Sequence, residues 1–397
     1  MDTTTATAGS SPAPEHGVGN DDLPGRFRRV YHDLYANSNA SRAEVLLADL
    51  SLLLLTKLLA EVEPDAGVER FVAGEATAAS LLPALRRAFP RIVDEGDKFH
   101  VDDASLRRAL MGLGEVRLSQ SPAHVLGEAF QALLGPRIRG DKGQFFTPRT
   151  LVRAMVAIVA PAPGEAILDP ACGTGGFLHE ALAHVRAQGG EPAAIHGADK
   201  DRELSRLAAA MLAFQTRVGW VEHLNSLHSP AWAKSGLLDA YDVILTNPPF
   251  GTKIPVRDPE ILREYELARQ WRYSEAARRW QPTAAPEAGQ DPQILFLELC
   301  IRRLRPGGRM AIVLPEGVFG NRQEAYVWDW VRAQGEIVAL LDCPRTTFQP
   351  GTDTKTNVLF FRKGAAGRPA KVAVAVALQC GHDRRGRTTR ADGSPYP

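Results

Sequence analysis

One segment constrains the fold more than any other: Ala166-Ile167-Leu168-Asp169-Pro170-Ala171-Cys172-Gly173-Thr174-Gly175-Gly176-Phe177-Leu178. An apolar run, a glycine-rich turn and a renewed apolar pattern read as a short buried strand, a tight loop and the start of a helix. Such a loop belongs to an α/β sheet, where ligands bind at the carboxyl ends of the strands. Gly173 and Gly175 let the backbone approach a ligand that a Cβ would exclude, and Gly176 is expected to permit close packing of helix on strand. The spacing is Gly-x-Gly-Gly, not the Gly-x-Gly-x-x-Gly of dinucleotide binders, which favours a nucleotide-type cofactor without a pyrophosphate. Asp169, Pro170, Ala171 and Thr174 complete this candidate cofactor loop.

From Thr150 onward strand and helix patterns alternate. Candidate strands are 166–169, 194–199, 221–225, 242–246, 309–314, 337–342 and 357–361, and their alternation with helices predicts a doubly wound α/β sheet. The second of them ends in Asp199, where a carboxylate can accept from both hydroxyls of a ribose. Asp201 is the fallback for that role, although it equally suits the plain charge at a helix N-terminus ahead of Arg202-Glu203-Leu204.

The fourth strand pattern, Tyr241 to Thr246, delivers Asn247-Pro248-Pro249-Phe250 onto a sharp turn. Asn and Pro dominate turns everywhere, so the tetrapeptide by itself is ambiguous. Its chemistry suits an amino nitrogen whose lone pair is delocalised into a neighbouring π system. The Asn247 side-chain carbonyl and the Pro248 backbone carbonyl can each accept one N–H, which favours a tetrahedral nitrogen with an available lone pair. The prolines bring acceptors without a competing donor. Phe250 offers a flat apolar face on which a planar base can stack after leaving a duplex.

Together these residues resemble the adenine-N6 DNA methyltransferases that use S-adenosyl-L-methionine, specifically the modification subunit of type I restriction systems. Gly143-Gln144-Phe145-Phe146-Thr147-Pro148 is similar to that family's segment ahead of the glycine loop, which implies roles for Gln144, Phe145 and Thr147 around the methionine end of the cofactor. The stretch Phe348 to Phe361 looks like the one that closes the family's catalytic domain, and by that analogy Phe348 covers the second face of a flipped base; a buried core Phe is the plainer reading. Pro292 and Gln293 line the cofactor pocket on the same analogy. One departure is Asn225, where the family often carries an acid; an Asn can still accept from an adenine amine and donate to a ring nitrogen.

The resemblance implies a Rossmann-like, seven-stranded methyltransferase sheet with the fourth strand beside the first, so that the Asn247 turn adjoins the Gly173 loop. It implies N6 methylation of adenine in double-stranded DNA, with a separate specificity subunit reading the sequence and a restriction subunit as a further partner. A protein-glutamine or RNA N-methyltransferase would use the same turn, and a degenerate scaffold subunit would keep the fold alone.

Composition bears on what else the chain can be. Its 397 residues can bury a substantial core, and a net charge of +1 carries no bulk polyanion signal, so DNA affinity must come from a local patch or a partner. Four widely spaced cysteines and ten unpaired histidines imply neither a disulfide framework nor a metal site and fit a cytoplasmic enzyme. The longest apolar stretch, Val45 to Ala60, is broken by Asp49 and Lys57 and falls short of the ~20 residues that span a bilayer. It reads as a core helix, and no membrane partner is implied.

The expected organisation is a disordered tail over 1–22, a helical domain over 23–139, the methyltransferase domain over 140–363 and a basic extension over 364–397. Ser41-Arg42-Ala43-Glu44 reads as a capping box. The helical domain is expected to pack on the catalytic one, pair with another subunit or hold DNA. Mixed charges from Arg257 to Arg279 read as a solvated helix face, or as arginines near DNA, interleaved with Trp271 and Trp280. The ending Gly393-Ser394-Pro395-Tyr396-Pro397 lacks a natural helical finish, which suggests a truncated product or a compact variant.

Overall fold

The computed structural model describes residues 23–37, 43–121, 147–250, 255–364 and 371–390, the last without 386 and 388. Gln144, Phe145, the capping box at Ser41 and the tail before Leu23 lie outside the described residues. The strands in chain order are β1 (Ala166–Asp169), β2 (Ala194–Asp199), β3 (Gly219–His223), β4 (Tyr241–Thr246), β5 (Arg269–Ser274), β6 (Arg279–Pro286), β7 (Leu304–Pro315), β8 (Gly335–Asp342), β9 (Thr356–Lys363) and β10 (Ala373–Val376).

The main sheet runs in the order β10-β8-β9-β7-β4-β1-β2-β3. β9 lies antiparallel between β7 and β8, and the remaining pairs are parallel. A strand buried on both faces alternates its side chains between two cores. Ile167, Val243, Val358 and Phe360 point into one, with the Arg149–Val159 and Gly176–Ala187 helices. Leu168, Ile244, Leu359 and Phe361 point into the other, with the Pro292–Arg303 and Ala325–Gln334 helices. Helices therefore cover both faces, as doubly wound sheets require. All seven expected strands are present and β10 adds an eighth at the edge beside β8.

Two expectations need correction. β3 begins at Gly219 and stops at His223, so Leu224 and Asn225 fall in the loop beyond it. Gly219 opens the strand because its bare Cα fits between Ile195, Leu212 and Thr216, each within 2.9 Å of where a Cβ would stand. The charged stretch after Arg257 is not one helix face. After a short Pro259–Glu264 helix it forms an antiparallel hairpin of β5 and β6, because alternating aromatic and arginine residues have the period of a strand.

In the N-terminal region the Leu23–Asn37, Ala43–Val62 and Asp103–Gly112 helices share one apolar core. Asp49, the apparent interruption, is fully buried and accepts from the backbone N–H groups of His100 (2.7 Å) and Val101 (2.6 Å) and from the His100 ring (2.9 Å). Those donors satisfy a carboxyl that would otherwise be costly to bury. Leu207, Ala210 and Met211 of the Arg202–Gln215 helix belong to this same core. Arg206 pairs with Asp97 beside it, and Arg202 reaches Asp97 at 3.0 Å. The helical region thus packs on the helix that follows β2.

Candidate active site

Register places the two chemical signals side by side. Ile167 and Leu168 of β1 pair with Val243 and Ile244 of β4, so Asp169 and Thr246 end adjacent strands on one rim. The Thr246 hydroxyl donates to Asp169 Oδ1 at 2.7 Å, tying the strand before the Asn247 turn to the strand before the glycine loop. Sequence reasoning missed Thr246; its signal was a lone polar residue closing an apolar strand just before Asn247.

The loop is held by its own chain. Asp169 Oδ1 also accepts from Ala171 N–H at 3.1 Å, and Cys172 N–H donates to the Ala198 carbonyl at 3.0 Å. Gly173 and Gly175 adopt φ of +52° and +84°, the left-handed region that a side chain disfavours. Close packing of helix on strand is not the work of Gly176, where an added Cβ would meet nothing within 4 Å. Gly197 does that work: a Cβ there would stand 2.7 Å from Leu178 Cδ1 and 3.0 Å from Cys172 Sγ.

Asp199 and Asp201 divide their duties. Asp201 caps the Arg202–Gln215 helix by accepting from Glu203 N–H and Leu204 N–H at 3.1 and 3.2 Å. Asp199 accepts from Gly173 N–H at 2.9 Å through one oxygen and from Asp201 N–H at 2.8 Å through the other. Each carboxylate oxygen has two acceptor positions, so hydroxyls can still be bound. Leu224 N–H donates to the Asp199 carbonyl at 3.0 Å, which brings exposed Asn225 to the same rim; its Oδ1 accepts from Leu227 N–H at 3.2 Å.

Electrostatics follow from burial. Desolvation raises the Asp169 carboxyl to about 7, against the lowering effect of the Thr246 hydroxyl and Ala171 N–H, and the nearby Asp199 charge raises it further. Burial also raises Asp199. Two crowded acids beside an open loop favour a ligand that brings positive charge. The open Cβ directions at Gly173 and Gly176 and the acceptor capacity of Asp199 suit a ribose-bearing cationic cofactor. S-adenosylmethionine fits that set.

The Asn247 turn differs. Its amide Nδ2 donates to Thr147 Oγ1 at 3.1 Å, while its Oδ1 is buried and has no partner among the described residues. Pro248 is buried, whereas Pro249 and Phe250 are half-buried. Phe250 meets Phe348 edge to face, with ring centroids 6.0 Å apart and planes at 82°. Rings so crossed do not form two parallel walls around one flat base; one can stack while the other supports it. Pro292 and Gln293 open the Pro292–Arg303 helix, and the buried Gln293 donates to Asp291 at 2.9 Å.

Strand order, glycine loop and Asn-Pro-Pro-Phe turn on one rim are those of the S-adenosylmethionine-dependent methyltransferase fold. Within that class the chain belongs to the N-6 DNA Methylase family, whose profile matches residues 121–389. Among similar proteins, the EcoEI type I restriction enzyme methylase subunit of Escherichia coli is 32% identical over 273 residues, covering 65% of this chain and 51% of that protein. The EcoKI methylase subunit of Escherichia coli strain K12 is 27% identical over 262 residues, 61% of this chain and 45% of that one. The chain thus spans about half the length of these curated relatives. A type I restriction-modification methyltransferase subunit from Streptococcus thermophilus shares the fold, with a TM-score of 0.60 at 18% identity over 90% of this chain and 87% of that one. Among the described residues no helix is long and apolar enough to cross a membrane, and no cluster of His, Cys, Asp and Glu could hold a metal.

Proposed function

We propose that this chain transfers a methyl group from S-adenosyl-L-methionine to the N6 amino group of adenine in double-stranded DNA, as the modification subunit of a type I-like restriction-modification system. The observation that carries the reading is the buried, unpartnered Oδ1 of Asn247. A buried acceptor without a donor is costly, of order 1–3 kcal/mol, and such exceptions concentrate where a ligand supplies the missing partner. Thr147 holds Nδ2, so the oxygen is the atom turned to the incoming amine.

In this reading Asn247 Oδ1 and the Pro248 carbonyl each accept one N–H of the adenine amine, and Pro249 stiffens the turn. Phe250 stacks on the extruded base and Phe348 braces Phe250 from the side. Asp199 binds the ribose hydroxyls, Asn225 faces the adenine of the cofactor, and the loop from Asp169 to Gly176 cradles the remainder, with Gln144, Phe145 and Thr147 at the methionine end. The cofactor supplies an electrophilic methyl on a sulfonium, a good leaving group. The turn therefore needs no strong base, only acceptors that orient the amine and strengthen as it gains positive charge.

The names of the curated relatives, methylase subunits of type I restriction enzymes, support a separate specificity polypeptide and a restriction subunit as partners. The test is labelled methyl transfer to methylation-free DNA by the complex from its native host, followed by nucleoside analysis. Label in N6-methyl-2'-deoxyadenosine that disappears with Asn247→Ala is the expected result. Label in protein or RNA would move the activity to glutamine or RNA nitrogen, and absence of cofactor binding would make the chain a scaffold.

A further inference from the structure

The β5–β6 hairpin is an exposed, strongly charged feature that the active site leaves unexplained. It is inserted between the Asn247 turn and the helix starting at Pro292, and its two strands pair through Tyr273 with Trp280 and Arg272 with Gln281. Side chains alternate in a strand, so the hairpin has two unlike faces. Trp271, Tyr273 and Trp280 share one. Trp271 stacks on Tyr326 with centroids 5.4 Å apart, and Trp280 meets the same ring at 6.4 Å. The backbone N–H of Trp280 donates to Asp329 at 3.0 Å, and Gln290 at the base of the hairpin donates to the Tyr326 hydroxyl at 2.9 Å. The aromatic face is thus an anchor on the Ala325–Gln334 helix.

Arg272 and Arg279 lie on the opposite face, diagonal to one another, about 7–8 Å apart at their bases. Arg278 stands at the turn and Arg269 at the root. All four are exposed, and none forms an ion pair with a carboxylate among the described residues. From Arg269 to Pro286 the only acid is Glu275. A chain with a net charge of +1 therefore concentrates uncompensated arginine on one anchored ribbon. A rigid base with a cationic outer face is suited to a polyanion, because guanidinium groups take phosphate oxygens through paired hydrogen bonds.

We infer that the outer face of the β5–β6 hairpin, through Arg272, Arg278 and Arg279, contacts the phosphate backbone of duplex DNA flanking the target adenine. The inference rests on the DNA-methylation reading above. Phosphate contacts position a duplex without reading its sequence, so the hairpin sets register and affinity while specificity lies elsewhere. The competing account is that charged residues merely keep an exposed hairpin edge from pairing with another chain.

The experiment compares the native complex carrying wild-type chain, Arg272→Gln/Arg278→Gln/Arg279→Gln, and the same three positions as Lys. Affinity for methylation-free duplex DNA is measured across roughly 50 to 200 mM salt, beside cofactor affinity, thermal midpoint and methyl transfer. Loss of three phosphate contacts lowers the slope of log affinity against log salt by about 2–3 and shrinks the affinity change across that range roughly 30-fold. Cofactor affinity and thermal midpoint stay unchanged, and the Lys variant restores the slope. An unchanged slope in a complex that methylates DNA overturns the hairpin inference alone, as does self-association of the Gln variant with the slope intact. A wild-type complex that labels protein or RNA and not DNA overturns both readings.

Discussion

The glycine loop and the Asn247 turn sit on neighbouring strands and solve opposite problems. In the loop the chain satisfies itself: Asp169 and Asp199 accept from Ala171, Gly173, Asp201 and Thr246, and positive φ at two glycines makes that geometry possible. In the turn Asn247 Oδ1 is left without a partner among the described residues, while Thr147 holds the amide nitrogen beside it. On the proposed function, the loop is built before its ligand arrives and selects by shape and charge, while the turn keeps its free acceptor for the reacting amine, since only interactions that strengthen in the transition state accelerate the chemistry.

The largest effect expected from that contrast is at the turn. Asn247→Ala lowers turnover about 10²–10³-fold, the scale for one lost preorganised hydrogen-bonding group, and leaves cofactor affinity unchanged. Parallel loss of turnover and cofactor affinity, measured by single-turnover kinetics and calorimetry, would merge the two regions into one function and break the comparison.

The loop's signature is pH. Because burial raises Asp169 to about 7 from an ordinary 3.8, a cationic cofactor must displace its proton in acid. Cofactor affinity should weaken about tenfold per pH unit below about 7, and Asp169→Asn should flatten the profile. The stability of the free protein runs the other way. The contribution of a carboxyl whose folded pKa is raised is fully present below the unfolded value and is lost as pH rises through about 7, so Asp169→Asn reduces the decline in thermal midpoint over that window. A pH-independent cofactor affinity would remove Asp169 from the loop's electrostatics.

A steric change separates the regions further. In Gly197→Ala the new methyl collides with Leu178 and Cys172, with a cost of about 1–3 kcal/mol in unfolding free energy. Gly176→Ala meets no protein atom, so it should leave the thermal midpoint unchanged and weaken cofactor binding instead. The smallest effect is expected at Thr147→Val, which frees the Asn247 amide to turn. Loss of one hydrogen bond predicts a fall in turnover of roughly 2–10-fold, less than for Asn247→Ala.

Much of this site was legible in the chain. Asn247, Phe250, Asp169 and the glycines stand out because strand ends with turn residues are local patterns, and seven strands followed from apolar periodicity. Asp201 could be read as a cap for the same local reason. Thr246 is marked in the chain only as a lone polar residue at a strand end, and its role becomes visible only through a carboxylate on a neighbouring strand distant in sequence. Gly197 was invisible because its role is set by Leu178 and Cys172 across the sheet. The charged insertion reads as a helix face when its mixed charges are followed, and the strand period of Trp271 and Tyr273 becomes decisive once the aromatic residues have a partner in Tyr326.

The sequence by itself determined the alternation of strands and helices, the backbone freedom at the glycine loop and the chemistry available at the Asn247 turn, all consequences of residues close along the chain. Tertiary structure decided that loop and turn share a rim, that Asp199 faces the loop while Asp201 caps a helix, that Asn247 keeps one acceptor without a partner among the described residues and that Arg272 and Arg279 share the outer face of a hairpin. Those outcomes depend on strand order, burial and register, which couple residues far apart in the chain through desolvation and short-range contact.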